Sequence, residues 1–139
     1  MSADDMLAIQ QAVARYSYTF DSKDAEGWAN IFTEDAIWEF FAAGETKPSE
    51  RLESRDSIYK WAVQRHKEMP KETHGYHHQS GILFDELTAD SARTRSTLIL
   101  TEQDVKESSS ARIILTGVYY DQWRKTPAGW RIAHRTLRV

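Results

Sequence analysis

From Tyr76 to Leu137 the chain reads almost entirely as strand. Four runs rich in β-branched and aromatic residues, roughly Tyr76 to Leu87, Ala92 to Gln103, Arg112 to Lys125 and Trp130 to Leu137, follow one another closely. Thr88-Ala89-Asp90-Ser91 and Thr126-Pro127-Ala128-Gly129 have the composition of tight turns, and Asp104 to Ser110 that of a longer polar loop. Connections this short cannot carry a crossover, so the four runs are expected to be antiparallel neighbours. A sheet of this kind needs a cover for one of its faces.

The first half of the chain supplies that cover. Met6, Ile9, Val13, Tyr16 and Phe20 recur at spacings of three and four, the stripe of an amphipathic helix running from about Ala3 to Tyr18 or slightly beyond. Asp21 falls on the flank of that stripe, where its carboxylate either points into a hollow beneath the helix or caps what comes next. Asp21-Ser22-Lys23-Asp24 holds capping residues for a second helix, whose spacing continues through Ala25, Trp28, Ala29 and Phe32. Thr33-Glu34-Asp35 breaks the pattern, and Ala36 to Phe41, with Trp38 at its centre, reads as a strand. Gly44 to Glu53 is loop-like. Ser54 or Asp56 caps a third helix with an inner face of Ile58, Trp61, Ala62 and Arg65, ending before Pro70. The order is helix, helix, strand, helix, then four strands. It predicts an α+β fold in which three helices pack on the concave side of a strongly curved antiparallel sheet, leaving a conical hollow.

Bulk properties exclude several classes of function. A length of 139 residues predicts one domain over 1–139. Eighteen Lys and Arg against twenty-one Asp and Glu, with no block of one sign, leave no electrostatic footprint for nucleic acid. The absence of cysteine rules out disulfides and thiolate chemistry. An acidic N-terminus and the lack of any apolar run of about 20 residues predict a cytoplasmic protein with no membrane association. Five Trp, six Tyr and five Phe supply much of the apolar surface of a chain otherwise rich in polar residues; most fill the core, and some are expected to line a cavity for a flat or ring-bearing molecule.

The densest polar cluster is His74-Gly75-Tyr76-His77-His78-Gln79-Ser80. By strand alternation His78, Ser80, Ile82 and Phe84 share one face, and His77, Gln79 and Leu83 the other. The face carrying Ile82 and Phe84 suits the interior, which makes His78 the inward histidine and His77 the alternative; a bulge would exchange them. A histidine held against a buried carboxylate is a general base of fixed tautomer, and Asp21 is the candidate carboxylate. The competing reading has Asp21 capping a helix and the histidines as ordinary strand residues. A metal site from His74, His77 and His78 is disfavoured, because adjacent strand residues diverge. Tyr119, Asp121 and Trp123 share a face of the third of the four runs, where a phenol can stabilise an oxyanion or simply pack. His134 and Arg135 either reach a pocket or sit at an edge or subunit contact.

Taken together, Arg15-Tyr16 followed by Asp21, the Asp24-to-Trp28 turn with Ile31-Phe32-Thr33-Glu34-Asp35-Ala36, His77-His78, Gly117-Val118-Tyr119 and Gly129 to Arg135 resemble the SnoaL-like branch of the nuclear transport factor 2-like superfamily. This resemblance spans nearly the whole chain and implies a cone-shaped α+β fold. From the catalytic members, among them scytalone dehydratase and bile acid 7α-dehydratase, it implies a cofactor-independent lyase or isomerase. Asp21 and His78 would act as a pair on a small aromatic or alicyclic substrate, assisted by Tyr16. His77, Tyr119, Trp38, Phe20 and Ser96 are the expected substrate-binding residues, with no metal. Ser96 stands where scytalone dehydratase has a second histidine, and Thr94 to Leu100 lacks the further aspartate of the bile acid enzyme, so neither leaving-group arrangement carries over. The alternative within the same fold is a non-catalytic binding or assembly subunit, as in ring-hydroxylating dioxygenase β subunits. The family commonly forms homodimers or homotrimers, which is the expectation here.

Overall fold

The computed structural model describes residues 2–139. Its first element, α1 (Ala3–Asp21), opens on Ser2, whose hydroxyl accepts from the Asp5 N–H, with Asp4 and Asp5 placed to complement the helix dipole. It closes on Lys23, a non-glycine residue at φ +64°. There the Lys23 N–H donates to Phe20 O at 3.0 Å and the Asp24 N–H to Thr19 O at 2.8 Å. That left-handed cap stops the helix and leaves Asp21 as its last residue, free of any capping duty. Asp24 caps α2 (Ala25–Ala29) by accepting from the Gly27 N–H at 2.9 Å. Ser54 caps α3 (Arg55–Glu68) in the same manner through the Ser57 N–H.

The strands are β1 (Phe32–Phe41), β2 (Glu50–Glu53), β3 (Thr73–Leu87), β4 (Ser91–Asp104), β5 (Arg112–Thr126) and β6 (Gly129–Arg138), in the order β2-β1-β6-β5-β4-β3. The sheet is curved and unclosed, with the three helices against it. β3 to β6 pair antiparallel in sequence order, as their turns require. Beyond them, β1 lies parallel to β6. This pairing is possible because the long path through α3 and the four strands β2 to β5 separates the two segments.

Two local expectations give way to pairing. Thr33 to Asp35 is not a break: β1 begins at Phe32, which belongs to the strand and not to the second helix. Glu50 to Glu53 is not loop but a short strand on the outer edge of β1, with Leu52 opposite Trp38. Charged residues there leave a short, polar edge.

The histidine strand departs from simple alternation. Ser80 pairs with Thr97 and Leu83 with Arg95, so three steps along β3 match two along β4. The extra residue is accommodated at Gly81, at φ +64°, where a side chain would be strained. Before this bulge the inward residues are Gly75, His77 and Gln79; after it they are Ile82 and Phe84. The core is strongly aromatic, with Tyr16, Trp28, Phe32, Tyr119 and Trp123 almost wholly buried. Among the described residues no helix is long and apolar enough to cross a membrane.

Candidate functional site

Under the C-terminal half of α1 the cone holds a cavity of about 430 Å³. Rings make much of its wall, among them Tyr16 and Phe20 from α1, Trp28 from α2, Trp38 from β1, Trp61 from α3 and Tyr119 from β5, while Arg65, Glu68 and Glu102 add charge to it. Leu98, Leu100, Leu115 and Leu137 complete the apolar lining. Trp38 and Trp61 pack at 5.1 Å between centroids, and Phe20 and Trp61 stack at 6.0 Å, so these surfaces fix one another.

At one wall stands the polar pair. His77 Nδ1 lies 2.6 Å from Asp21 Oδ1, and the His77 backbone N–H donates to Asp21 Oδ2 at 2.9 Å. Both carboxylate oxygens are thereby spent on one residue. The contact fixes the tautomer with the proton on Nδ1, since a carboxylate only accepts, and leaves the Nε2 lone pair free. No hydrogen bond to Nε2 forms among the described residues.

The inward histidine is therefore His77 and not His78. His78 is exposed on the outer face, with Nε2 2.9 Å from Thr101 Oγ1. The Gly81 bulge is the physical reason, since it inverts the phase of the strand between the histidines and the apolar pair used to orient them. Tyr16, Phe20, Trp38 and Tyr119 line the cavity as expected. Ser96 does not line it. It is buried on β4 opposite Tyr119, its Oγ without a hydrogen-bond partner among the described residues, and it lines instead the neighbouring groove that shares Asp21 and His77.

Tyr16 Oη accepts from Trp38 Nε1 at 3.0 Å, so its own proton remains available. Burial pushes the Tyr119 phenol well above its ordinary value, with Tyr16 adding and Arg135 opposing, so it too remains a protonated donor. Beneath both rings lies Arg135, fully buried, its guanidinium 3.5 Å from the Tyr119 centroid and 4.1 Å from that of Tyr16. It donates to both Asp121 oxygens, at 2.8 and 3.1 Å, and to Gln79 Oε1 at 2.6 Å. Gln79 in turn donates to Ser17 Oγ at 2.7 Å. This chain ties β5 and β6 to α1 and to β3 two residues from His77. Arg135 is thus neither an edge charge nor a pocket wall. The sequence did hold a signal for it: Asp121 shares a face with Tyr119 and Trp123, and an inward carboxylate needs a cation from a neighbouring strand. His134 faces outward and meets Glu39 Oε1 at 2.6 Å.

A more open groove of about 750 Å³ runs between α1 and β3 and shares Asp21, Gly75 and His77 with the cavity. Its remaining lining mixes polar side chains such as Gln10, Ser22 and His74 with Val13, Ala14 and Ile82, whereas the cavity presents Tyr, Trp and Phe rings to a ligand.

Residues 1–136 match the family model described as a SnoaL-like domain. An uncharacterized Mycobacterium tuberculosis protein, Rv2910c, is 28% identical over 133 residues, covering 94% of this chain and 82% of that protein. Among solved structures, a Mycobacterium tuberculosis protein of unknown function, Rv3472, superposes with a TM-score of 0.78 at 31% identity over 96% of this chain and 70% of that one. A Novosphingobium aromaticivorans protein designated a candidate scytalone dehydratase gives 0.77 at 27% identity, over 96% and 82% of the two chains. The β subunit of a candidate aromatic-ring-hydroxylating dioxygenase from the same organism gives 0.79 at 18% identity, over 94% and 86%, a likeness of fold.

Proposed function

This chain belongs to the SnoaL-like domain family, and on that premise we propose that it is a cofactor-independent lyase or isomerase acting on a small ring-bearing molecule in the aromatic cavity. The observation that carries this reading is the Asp21–His77 contact at 2.6 Å in the wall of that cavity, with Nε2 left unpaired. Nε2 takes a proton from a carbon next to a substrate carbonyl. The resulting imidazolium is stabilised by Asp21, while the electron pair moves onto the substrate oxygen. The Tyr16 O–H, whose oxygen already accepts from Trp38, donates to that oxyanion. Return of the proton to another carbon gives isomerisation; expulsion of a β-hydroxyl as water, using that proton, gives dehydration. In this reading Phe20, Trp38 and Tyr119 hold the ring by face and edge contacts.

Proton abstraction is measured directly by following deuterium incorporation into a panel of cyclic enolisable ketones in heavy water by NMR. The wild-type protein accelerates exchange for those that fit, and His77→Ala lowers that rate by about 10²- to 10⁴-fold with the fold retained. His78→Ala leaves it unchanged. Exchange that survives intact in His77→Ala removes the mechanism.

A second reading, assembly without catalysis, draws support from the outer sheet face, where Tyr76, Ile99, Ile113 and Tyr120 are all more than 40% exposed. The same surface supports a homodimer or homotrimer of an enzyme, and the free Nε2 in the wall of a ring-lined pocket is what favours catalysis over assembly alone.

A further inference from the structure

Arginines in this chain are mostly committed. Of the eleven, six lie within 4.0 Å of a carboxylate: Arg51, Arg93, Arg95, Arg112, Arg124 and Arg135. Arg138 covers the Phe41 ring and Arg65 stands in the wall of the aromatic cavity. The remaining three, Arg15, Arg55 and Arg131, gather in one region with no ion-pair partner among the described residues. Arg55 and Arg131 line a cleft of about 680 Å³ between the start of β1, the first residue of α3 and the β5–β6 turn. Arg131 also lines the adjoining hollow together with Arg15. None of the residues lining the cleft lines the aromatic cavity.

Like charges gathered in this way repel one another. Burial, and then the charges of Arg15 and Arg55, hold the Arg131 pKa below the ordinary arginine value. Arginine does not shed its proton in a protein, so the repulsion is relieved only by a counter-charge. The cleft's own acids do not supply it. Asp35 is taken by Arg124, at 2.9 Å, and by Thr33; Glu34 is exposed and forms no ion pair among the described residues. Two of the three guanidiniums are also held in place: Arg55 Nε donates to Phe32 O at 2.9 Å, and Arg131 Nη1 to Trp130 O at 3.0 Å. Their remaining N–H groups are left for a ligand at little cost in side-chain order.

We infer that this cleft binds a small multivalent oxyanion, of the phosphate or polycarboxylate kind, at a site separate from the aromatic cavity. Arg55 and Arg131 in the cleft, with Arg15 beside them in the adjoining hollow, outnumber the unpaired Glu34 and Asp4, and their forked donors suit the several oxygens of a multivalent oxyanion better than a monovalent ion. A nucleic acid is a poor fit, because the positive charge is confined to one concavity on a chain of net charge −3.

Inorganic phosphate and citrate serve as probes, titrated into the full chain by calorimetry at constant ionic strength set with chloride. Saturable one-to-one binding of at least one of them is expected, with Arg131→Gln weakening it about tenfold or more and Arg15→Gln, beside the cleft, weakening it less. His77→Ala binds as the wild type does, which separates this site from the cavity. Without anion, Arg131→Gln should melt no lower than wild type, since it removes a repelled charge; with saturating anion it should melt lower. Absence of saturable binding by both probes, or affinity unchanged in Arg131→Gln, overturns the assignment. An Arg131→Gln protein that melts lower equally with and without anion also overturns it, since that is the mark of a structural residue.

Discussion

Replacing Arg135 with methionine removes the cation on which the two cavity tyrosines rest. Arg135 is fully buried, and its two bonds to Asp121, at 2.8 and 3.1 Å, are the carboxylate's only ion-pair contacts among the described residues. Methionine keeps most of the stem volume but leaves Asp121 without a counter-charge and Gln79 Oε1 without a donor. Breaking one side of such a buried pair costs about 3–5 kcal/mol, against about 5–15 kcal/mol for the whole stability of a small domain. Removing both charges is far milder: the double variant Arg135→Met with Asp121→Leu is expected within about 1–2 kcal/mol of wild type, because no unpaired ion remains. Urea unfolding followed by tryptophan fluorescence at pH 7 measures all members of this cycle.

The same cycle has a pH signature. Burial raises Asp121 above its ordinary value of 3.8 even against the pull of Arg135, and loss of the arginine raises it further. A carboxyl whose folded pKa lies above its unfolded one contributes stability that is present below the unfolded pKa and is lost as pH rises through the folded pKa. Arg135→Met therefore recovers toward wild type as the pH is lowered through the raised pKa of Asp121, where that carboxyl becomes neutral. A deficit below about 1 kcal/mol at pH 7, or single-variant deficits that simply add in the double variant, would refute the account of Arg135 as the partner of a buried charge.

Two further predictions concern local devices. Gly81→Ala meets no clash, since an added Cβ finds only Thr97 Oγ1 at 4.0 Å, but its φ of +64° penalises a side chain; a loss of about 1 kcal/mol in urea unfolding is expected, and none would mean the bulge needs no glycine. Asp5 accepts from Trp130 Nε1 at 2.9 Å and from Lys125 at 3.1 Å, and these bonds, with that from Ser2, lower its pKa from 3.8 to about 2. A depressed carboxyl stabilises above its unfolded pKa and loses that contribution as pH falls through the folded one, so the stability gap between wild type and Asp5→Asn should be constant above about pH 5 and close between about pH 4 and 2. A gap that persists unchanged at pH 2 would show that Asp5 acts through packing and not through its charge.

Element type and order were legible because they rest on period and punctuation. The spacing of Ile9, Val13, Tyr16 and Phe20 needs only a 3.6-residue helix to become one face, and the turns at Thr88 and Thr126 need only their own residues to join antiparallel strands. Asp21 was legible as a candidate for the same reason, its place at the end of that stripe being a local matter. Which histidine meets it was not. That depended on one extra residue at Gly81, and a bulge is set by how β3 registers on β4, although a glycine inside a strand pattern is its usual trace. The parallel seat of β1 beside β6, and the burial of Arg135 between Tyr16 and Tyr119, likewise join segments roughly a hundred residues apart. Period and capping act within a turn or two of helix or strand, whereas pairing register and the balance of buried charge belong to the assembled core. It is there that this chain chose His77 as the partner of Asp21.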